Sequence, residues 1–471
     1  TQVAARRSEL RFILPHFKNM GTDGGLRIMR ALPFELSEYR GRQEEFLSQM
    51  PQDSVVIIPN NPKSVRSNDT HYRYRANSYV LYLCGWEEPD SVFTAVFLDG
   101  EWKTSLFVRP RDTHSEIWEG RRIGPEGAEK GWPIDQSFPI EDAKEHILNA
   151  MSLGSKPSII QGLDNRIDDI VLNQDPDKGP VIELSDIQDP RNILDSMRTI
   201  KSESEIGIMQ QAANIASSAH VKAMEKTFPS IGEWQIQAII EGHFIHSESQ
   251  WSYPSIVGGG ENATILHYSS NSETIGEGDL VLVDAGCEVH GYASDITRTW
   301  PVSGKFTEAQ KEIYNLVLEA EIAGIEACKA GSPWRSMHEA SSAVLARGLV
   351  ELGILDCSES EALGKNLDGP YRNYFMHGTG HLLGLDVHDV GGGRKGDKNP
   401  GPVLKPGMVV TVEPGLYFAS WRDDVEIPER YAGIGIRIED DVLITEEGPI
   451  VLSSGCPKSI IEIESIVGKS R

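Results

Sequence analysis

The chain carries one short sequence pattern twice, and this internal repeat limits the folds that it can adopt. Residues 278–286 and 407–415 each consist of a glycine, five residues, an acidic residue, one further residue and a second glycine. The five-residue stretches are mostly apolar and β-branched, so each copy predicts a short buried strand that ends in a turn. The strands end on carboxylates, Asp284 in the first copy and Glu413 in the second. The pattern therefore predicts two related hairpins.

A second acidic residue follows each copy. Asp295 comes soon after Asp284, and Glu439 follows Glu413 in an isoleucine-rich stretch. If both hairpins face one site, four carboxylates converge there, and burial beside like charges opposes their ionisation unless cations neutralise them. Two divalent cations carry four positive charges, which match the four carboxylates. The sequence therefore predicts a centre of two metal ions roughly 3.5–4 Å apart.

Histidines between the two copies supply a fifth candidate ligand. His377, His381 and His388 fall within a glycine-rich stretch, and the glycines allow the backbone around His381 to approach a crowded site. One imidazole among oxygen ligands is a hard donor set, which favours Mn(II), with Co(II), Fe(II) or Zn(II) as alternatives. The predicted metal ligands are Asp284, Asp295, His381, Glu413 and Glu439.

Each of these residues also has an ordinary structural explanation. An acidic residue at a strand end is most often a turn or capping residue, and a single histidine is most often a hydrogen-bonded side chain. The joint pattern favours the metal site. In residues 434–439 the isoleucines alternate with Arg437 and Glu439, so these two side chains point to the same face of a strand. Arg437 is therefore predicted to orient the carboxylate ligands.

Composition excludes several classes of partner. The net charge of -25 opposes binding to nucleic acid or to an anionic membrane. No apolar run approaches about 18 residues, so the sequence predicts no membrane span. Five isolated cysteines without a CxxC motif indicate a reducing compartment, and we expect a cytoplasmic protein. A basic excess in residues 1–30 leaves a mitochondrial location as the alternative, although a basic surface helix explains it at least as well.

Local signals place several elements along the chain. Residues 54–59 predict a buried strand, and residues 91–108 predict a hairpin closed by an Asp-Gly turn. Capping-box patterns begin one helix at Ser202 and another at Thr307, and the second is predicted to stop at Gly331. Turn residues place a domain boundary near residues 190–201, so the N-terminal part is predicted to be an α/β domain.

The motifs resemble those of one known family. The ligand order, together with residues 66–91, 377–391 and 411–417, is similar to the aminopeptidase P group of dinuclear metallopeptidases. The resemblance implies an α/β N-terminal domain followed by an α+β pita-bread domain with an internal pseudo-twofold repeat. The expected domains are residues 34–195 and 196–471. Residues 1–33 form an N-terminal extension that has no counterpart in the resemblance.

The resemblance also implies a reaction and a set of roles. The reaction releases the first residue of peptides with proline in second position, by attack of a hydroxide that bridges the two metal ions, with Glu413 as general base. His267 and His388 would hold the substrate carbonyl and the developing oxyanion. The predicted catalytic residues are His267, His388, Glu413 and Arg437, and the predicted substrate-binding residues are His267, His377, His388 and Tyr417.

Three alternative functions remain open at this point. An Xaa-Pro dipeptidase, or prolidase, would use the same ligands and refuse longer peptides. A methionine aminopeptidase would have no need of the large N-terminal domain. A pita-bread protein that serves as a metal-free binding module usually lacks one or more ligands, whereas all five are present here. The resemblance further implies a homodimer or homotetramer and proline-containing peptides as substrates.

Overall fold

The N-terminal part of the chain forms a mixed sheet flanked by helices. The computed structural model describes residues 32–172, 184–391 and 402–470, so nearly all of the predicted extension over residues 1–33 lies outside the described residues. In chain order the elements of this part are α1 (Leu36–Ser48), β1 (Ser54–Pro59), β2 (Val65–Ser67), β3 (Thr70–His71), α2 (Ser78–Cys84), β4 (Val92–Leu98), β5 (Glu101–Val108), α3 (Thr113–Glu119), α4 (Gly124–Gly131), β6 (Gln136–Pro139), α5 (Ala143–Ser152), β7 (Lys156–Ile159), α6 (Asn165–Leu172) and α7 (Arg191–Thr199).

The five-stranded sheet has the order β6-β5-β4-β1-β7. Strand β1 is buried along its whole length, as predicted, and pairs antiparallel with β4 and parallel with β7. The predicted hairpin joins β4 to β5 through Asp99 and Gly100, which have φ of 50° and 88°. A two-residue turn of this kind needs positive φ at both positions, which Asp-Gly adopts readily. These local predictions are confirmed.

The C-terminal part contains the repeat. In chain order its elements are α8 (Glu203–Lys226), α9 (Glu233–His246), β8 (Gln250–Trp251), β9 (Ile256–Gly259), β10 (Leu280–Asp284), β11 (Cys287–Val289), β12 (Tyr292–Ala293), β13 (Thr297–Pro301), α10 (Glu308–Ala327), α11 (Arg335–Glu351), α12 (Glu359–Leu363), β14 (Val409–Val412), β15 (Gly415–Tyr417), β16 (Gly435–Arg437), β17 (Asp440–Thr445), β18 (Gly448–Val451) and α13 (Ile460–Ile466).

The two copies of the pattern become equivalent strands. Strand β10 pairs antiparallel with β13, and β14 pairs antiparallel with β17. In each copy one acid stands where the first strand ends, and the other stands just before the partner strand begins. Antiparallel pairing brings the end of one strand beside the start of the next, so both acids of a copy reach the same edge. The predicted related hairpins are confirmed.

Both capping boxes form as predicted. The Ser202 and Thr307 side chains accept hydrogen bonds from the backbone N–H of Glu205 and Gln310, which cap α8 and α10. The end of α10 differs from the prediction, because the helix stops at Ala327 rather than at Gly331. The N–H of Gly331 instead donates to the carbonyl oxygen of Leu404 at 2.9 Å. A contact with a distant segment therefore takes the place of the predicted last turn of α10.

A hydrophobic cluster joins the two parts of the chain. Tyr79 and Leu81 from α2 pack with Tyr292 and with Leu383 and Leu385, which lie in the histidine-rich segment. The N-terminal part therefore rests directly against the segment that carries His381 and His388. All five cysteines lie within the described ranges and are free thiols. Across the described part of the chain, we find no helix with the length and apolar character of a membrane span.

Candidate metal centre and substrate cavity

A cavity of about 1450 Å³ opens where the two hairpins meet. The hairpins supply acids from the strand ends, and the segment before β14 supplies histidines. All five predicted ligands reach its wall, and so do four of the other predicted site residues: Asp284, Asp295, His381, Glu413, Glu439, His267, His377, His388 and Arg437. The structure therefore brings together residues that lie far apart in the sequence.

The acids of the first hairpin share one phenol. The Tyr253 hydroxyl lies 2.5 Å from Asp284 Oδ1 and also contacts Asp295 Oδ1. Asp284 and Asp295 are buried, Tyr253 is partly buried, and a phenol has only one proton to donate. The two carboxylates are therefore held close together, with their remaining oxygens turned to other partners.

The acids of the second hairpin are linked to the first through Thr297 and Arg437. The Thr297 hydroxyl donates to Glu439 Oε2 at 2.6 Å and accepts from Arg437 Nε at 3.1 Å. Arg437 Nη2 donates to Asp284 Oδ2 at 2.6 Å. Arg437 is only 3% exposed, so its charge faces the carboxylates rather than solvent. The predicted orienting contact between Arg437 and a ligand carboxylate is present.

His381 completes the cluster. Its Nε2 lies 3.4 Å from Asp295 Oδ2 and 3.9 Å from Glu413 Oε1. One ligand atom each from Asp295, His381 and Glu439 can be chosen so that all three lie within 4.8 Å of one another. This spacing suits ligands around a shared ion. The backbone N–H of His381 donates to Thr411 Oγ1 at 3.0 Å, so β14 fixes the histidine.

Asp295, Glu413 and Glu439 resist ionisation in the metal-free protein. Burial and the neighbouring carboxylates raise the pKa of Asp295 and of Glu439 well above the ordinary range. Burial also raises the pKa of Glu413 to about 7, although His381 and Arg437 oppose the change. Divalent cations would favour the ionised forms. The donor set of four carboxylates and one imidazole therefore fits a metal centre.

Tyr417 differs from its predicted place on the pocket wall. Its ring is completely buried, and its hydroxyl bonds His377 Nε2 at 2.8 Å and Arg437 Nη1 at 3.0 Å. It therefore lies behind His377 and supports that residue. Burial and the positive charge of Arg437 lower the pKa of His377 to about 3, so its imidazole is neutral at ordinary pH.

The two histidines proposed to contact substrate lie on the cavity wall. His267 is exposed in a turn after the short 3₁₀ segment Gly260–Thr264, rather than in a strand. His388 is also exposed, and its ring stands edge-on to that of His381 with the centroids 4.3 Å apart.

The sequence analysis missed Tyr253 and Thr297. Thr297 could have been found, because it lies two residues after Asp295 and therefore shares a face with it in an extended chain. Tyr253 has no comparable signal. It precedes β9, whose pairing with β10 carries the phenol to the acids only in the folded chain.

Two family models match the chain. The model of the family described as "Metallopeptidase family M24" matches residues 207–446, and that of "Aminopeptidase P, N-terminal domain" matches residues 39–160. The chain belongs to metallopeptidase family M24. The resemblance to the aminopeptidase P group is confirmed, and so is the predicted fold class. The M24 match contains all five candidate ligands of this peptidase.

Relatives of this M24 peptidase match it over nearly its full length. The Xaa-Pro aminopeptidase of Haemophilus influenzae is 39% identical, with 94% of this chain and 99% of the relative covered. The Xaa-Pro aminopeptidase of Escherichia coli is 38% identical, with 92% of this chain and 98% of the relative covered. The structure of proline aminopeptidase P II from Yersinia pestis superposes with a TM-score of 0.86 at 39% identity, covering 92% of this chain and 99% of that chain.

The raised pKa of Glu413 predicts how the metal-free M24 peptidase responds to pH. Its pKa rises from 4.5 to about 7 on folding, so the folded chain binds this proton more tightly than the unfolded chain. Stability should therefore fall as pH rises from about 4.5 through 7, by about 3 kcal/mol. Thermal unfolding of metal-free protein at pH 5 and pH 8 measures the effect.

Two variants test the origin of this pH dependence. Glu413→Gln removes one of the titrating groups and should reduce the dependence, to which Asp295 and Glu439 still contribute, whereas Glu446→Gln, at an exposed position in a loop, should leave it unchanged. Added divalent metal should restore stability at pH 8. A metal-free protein that becomes more stable between pH 5 and pH 8 would contradict the raised pKa.

Proposed function

We propose that the chain is an Xaa-Pro aminopeptidase, which removes the first residue from peptides with proline in second position. The observation that carries this proposal is the joint match to both family models on one chain, with all five candidate ligands gathered in one cavity. Two relatives that match nearly end to end bear the name Xaa-Pro aminopeptidase. A structure of E. coli aminopeptidase P with the inhibitor Pro-Leu has a TM-score of 0.85 at 38% identity, covering 92% of this chain and 98% of that one.

The shape of the cavity favours peptides longer than a dipeptide. Its volume of about 1450 Å³ exceeds the roughly 300–1,000 Å³ of common small-molecule sites. The wall also includes Trp334, Arg335 and Leu367, none of which is a candidate metal ligand. Residues that follow the proline of a longer substrate could lie there. We therefore favour an aminopeptidase over a dipeptidase.

Two divalent ions, with Mn(II) favoured, are proposed as the cofactor. Asp284, Asp295, His381, Glu413 and Glu439 would hold them, and hard oxygen donors dominate this set. A zinc-substituted E. coli aminopeptidase P structure, 37% identical with a TM-score of 0.85, covers 93% of this chain and 99% of that one. When bound, the ions would polarise the scissile carbonyl and activate water.

The side chains around the cluster would handle the proton and the substrate oxygen. Glu413 lies on the cavity wall beside the other carboxylates, where it would accept a proton from the attacking water and return it to the departing proline nitrogen. His267 and His388 lie on the cavity wall, where they would donate hydrogen bonds to the carbonyl oxygen as it becomes negative. His377, backed by Tyr417 and Arg437, would shape the pocket around the scissile bond.

A comparison of short substrates tests the activity. We expect the metal-loaded protein to cleave an Xaa-Pro-Yaa tripeptide at the Xaa-Pro bond, and to leave the matched Xaa-Ala-Yaa tripeptide uncut. Selectivity follows because proline lacks an N–H and has a restricted φ, which a pocket shaped for its ring can exploit. Mass spectrometry of the products measures both reactions. Cleavage of Xaa-Pro dipeptides alone would identify a prolidase instead.

Assembly as a homodimer or homotetramer is part of the proposal. Helix α3 supports it, because its adjacent Ile117 and Trp118 are 75% and 79% exposed, and large apolar exposures of this kind often mark protein contacts. Analytical ultracentrifugation of the protein and of Trp118→Ser tests this assembly.

A cytoplasmic location is proposed from the free thiols. The alternative is mitochondrial, and it is supported by the name of a 36% identical Arabidopsis thaliana relative, "Intermediate cleaving peptidase 55, mitochondrial", matched over 92% of this chain and 83% of the relative.

A further inference from the structure

A largely buried charge cluster adjoins the segment that carries His388, and none of its four members lines the cavity. We call it the linker cluster, because two of its members, Arg198 and Lys201, come from α7 and the residues after it, between the two parts of the chain. The other two members, Asp386 and Asp389, flank His388. Arg198 Nη2 donates to Asp386 Oδ2 and to Asp389 Oδ1, each at 2.7 Å.

The contacts of Asp389 are fully buried. Lys201 Nζ donates to Asp389 Oδ2 at 3.0 Å, so this carboxylate binds two cations. The side chains of Arg198, Lys201 and Asp389 are 2%, 1% and 1% exposed. Charges in such a place are strongly coupled, and the loss of one partner leaves the others uncompensated. The position of Asp389, immediately after His388, is therefore closely defined.

The N-terminal part of the chain also contributes to this arrangement. The Ser78 hydroxyl donates to Asp386 Oδ1 at 2.6 Å, and Arg75 Nη2 donates to the carbonyl oxygen of Leu385. Asp386 is thus held by α2 on one oxygen and by α7 on the other. Asp386, two residues before His388, and Asp389, immediately after it, are therefore both held by parts of the chain outside the repeat.

His381 is held in a different way. Its backbone N–H donates to Thr411 Oγ1 at 3.0 Å, and its carbonyl oxygen accepts from the N–H of Thr411 at 2.9 Å. The metal-ligand end of the segment therefore depends on β14, whereas the His388 end is held by the side chains of the linker cluster and by the N–H of Asp389, which donates to the carbonyl oxygen of Leu382 at 2.8 Å. A change in the cluster should move His388 without removing a ligand.

We propose that Arg198 and Lys201 are positioning residues that hold His388 against the substrate oxygen through Asp386 and Asp389. The inference rests on the proposed function, since it takes His388 to contact substrate. It also means that the N-terminal part and the linker affect turnover by holding His388 in position. A displacement of about 1 Å in a catalytic group can lower the rate about 100-fold.

The first test compares Arg198→Met with Arg191→Met in the metal-loaded protein. Arg191 lies on the same helix and pairs with Asp189 at the surface, so its variant is a matched control. We expect Arg198→Met to lower kcat about 100-fold with KM little changed, because His388 would act mainly in the transition state. Metal content should remain normal. Loss of metal from Arg198→Met would overturn the inference, since the cluster would then act on the ligands.

A rescue variant distinguishes positioning from general damage. Among the described residues, only Nη2 of the Arg198 guanidinium has acceptors, while Nε and Nη1 have none. One ammonium could occupy the same point between the two carboxylates, so Arg198→Lys should recover at least about tenfold of the lost kcat. An Arg198→Lys variant as impaired as Arg198→Met would contradict this geometry.

A double-mutant cycle with His388→Ala tests whether Arg198 acts through His388. If Arg198 acts through His388, Arg198→Met should lower kcat no further in the His388→Ala background. Independent, multiplying effects would overturn the inference and leave the role of His388 intact. Unchanged turnover in His388→Ala alone would instead reject the proposed role of His388, and the inference with it. If Arg198→Met folds poorly, Asp386→Asn replaces it in the cycle with the same expectation.

Discussion

Replacement of Asp295 or Glu439 by alanine is expected to abolish peptidase turnover, with a loss of about 1000-fold or more. Both carboxylates belong to the cluster that can surround a shared ion, and each is almost fully buried. Removal of either leaves positive charge uncompensated, so metal should be lost together with several kcal/mol of transition-state stabilisation. Metal content by mass spectrometry and turnover of an Xaa-Pro-Yaa tripeptide measure the two effects.

The control for this prediction is another acid of the same cavity. Asp368 lines the wall but is exposed, and its carboxylate accepts from the backbone N–H of Asn366. Asp368→Ala should therefore keep its metal. Near-normal turnover with full metal content in Asp295→Ala would show that the metal centre has been placed at the wrong residues.

Substitution of Arg437 by lysine should reduce metal affinity or activity about 10–100-fold, the usual penalty for removing a group that orients metal ligands. Three different nitrogens of this guanidinium bond three partners, namely Thr297, Tyr417 and Asp284. A lysine ammonium keeps the charge but cannot reach three acceptors in these fixed directions. The expected result is the opposite of that for Arg198, where one nitrogen makes both contacts.

The measurement for Arg437 is a metal titration followed by turnover at saturating metal. Arg422→Lys is a suitable control, because Arg422 makes a two-point contact with Asp424 outside the cavity wall. It should behave like the unchanged protein. If Arg437→Lys also binds metal and turns over normally, the guanidinium has no orienting role.

The sequence predicted the parts of the site that depend on local periodicity. The repeated pattern identified the acids that end β10 and β14, since a short apolar stretch followed by a turn is a local property. Strand alternation identified Arg437 beside Glu439 for the same reason. Gathering these residues into one cavity required the family resemblance, because periodicity carries no information about which strand ends meet.

Residues that reach the site only through tertiary contacts could not be predicted from local periodicity. Tyr253 reaches the acids of the first hairpin through strand pairing, and Tyr417 lies behind His377, where its hydroxyl bonds both His377 and Arg437. Arg198 contacts Asp389 across the boundary between the two parts of the chain. Each of these contacts depends on tertiary packing, which can override any local signal.

The candidate metal centre, where the two hairpins meet, also affects how long the folded molecule resists degradation. Asp295, His381 and Glu439 come from three separate segments, so an ion bound by all three acts as a crosslink between them. An ion that binds only the folded chain stabilises it by about 4 kcal/mol at a thousand times its dissociation constant. Proteases cleave this kind of chain chiefly in its opened form. The supply of metal in the cell would therefore set the lifetime of the enzyme against degradation as well as its speed.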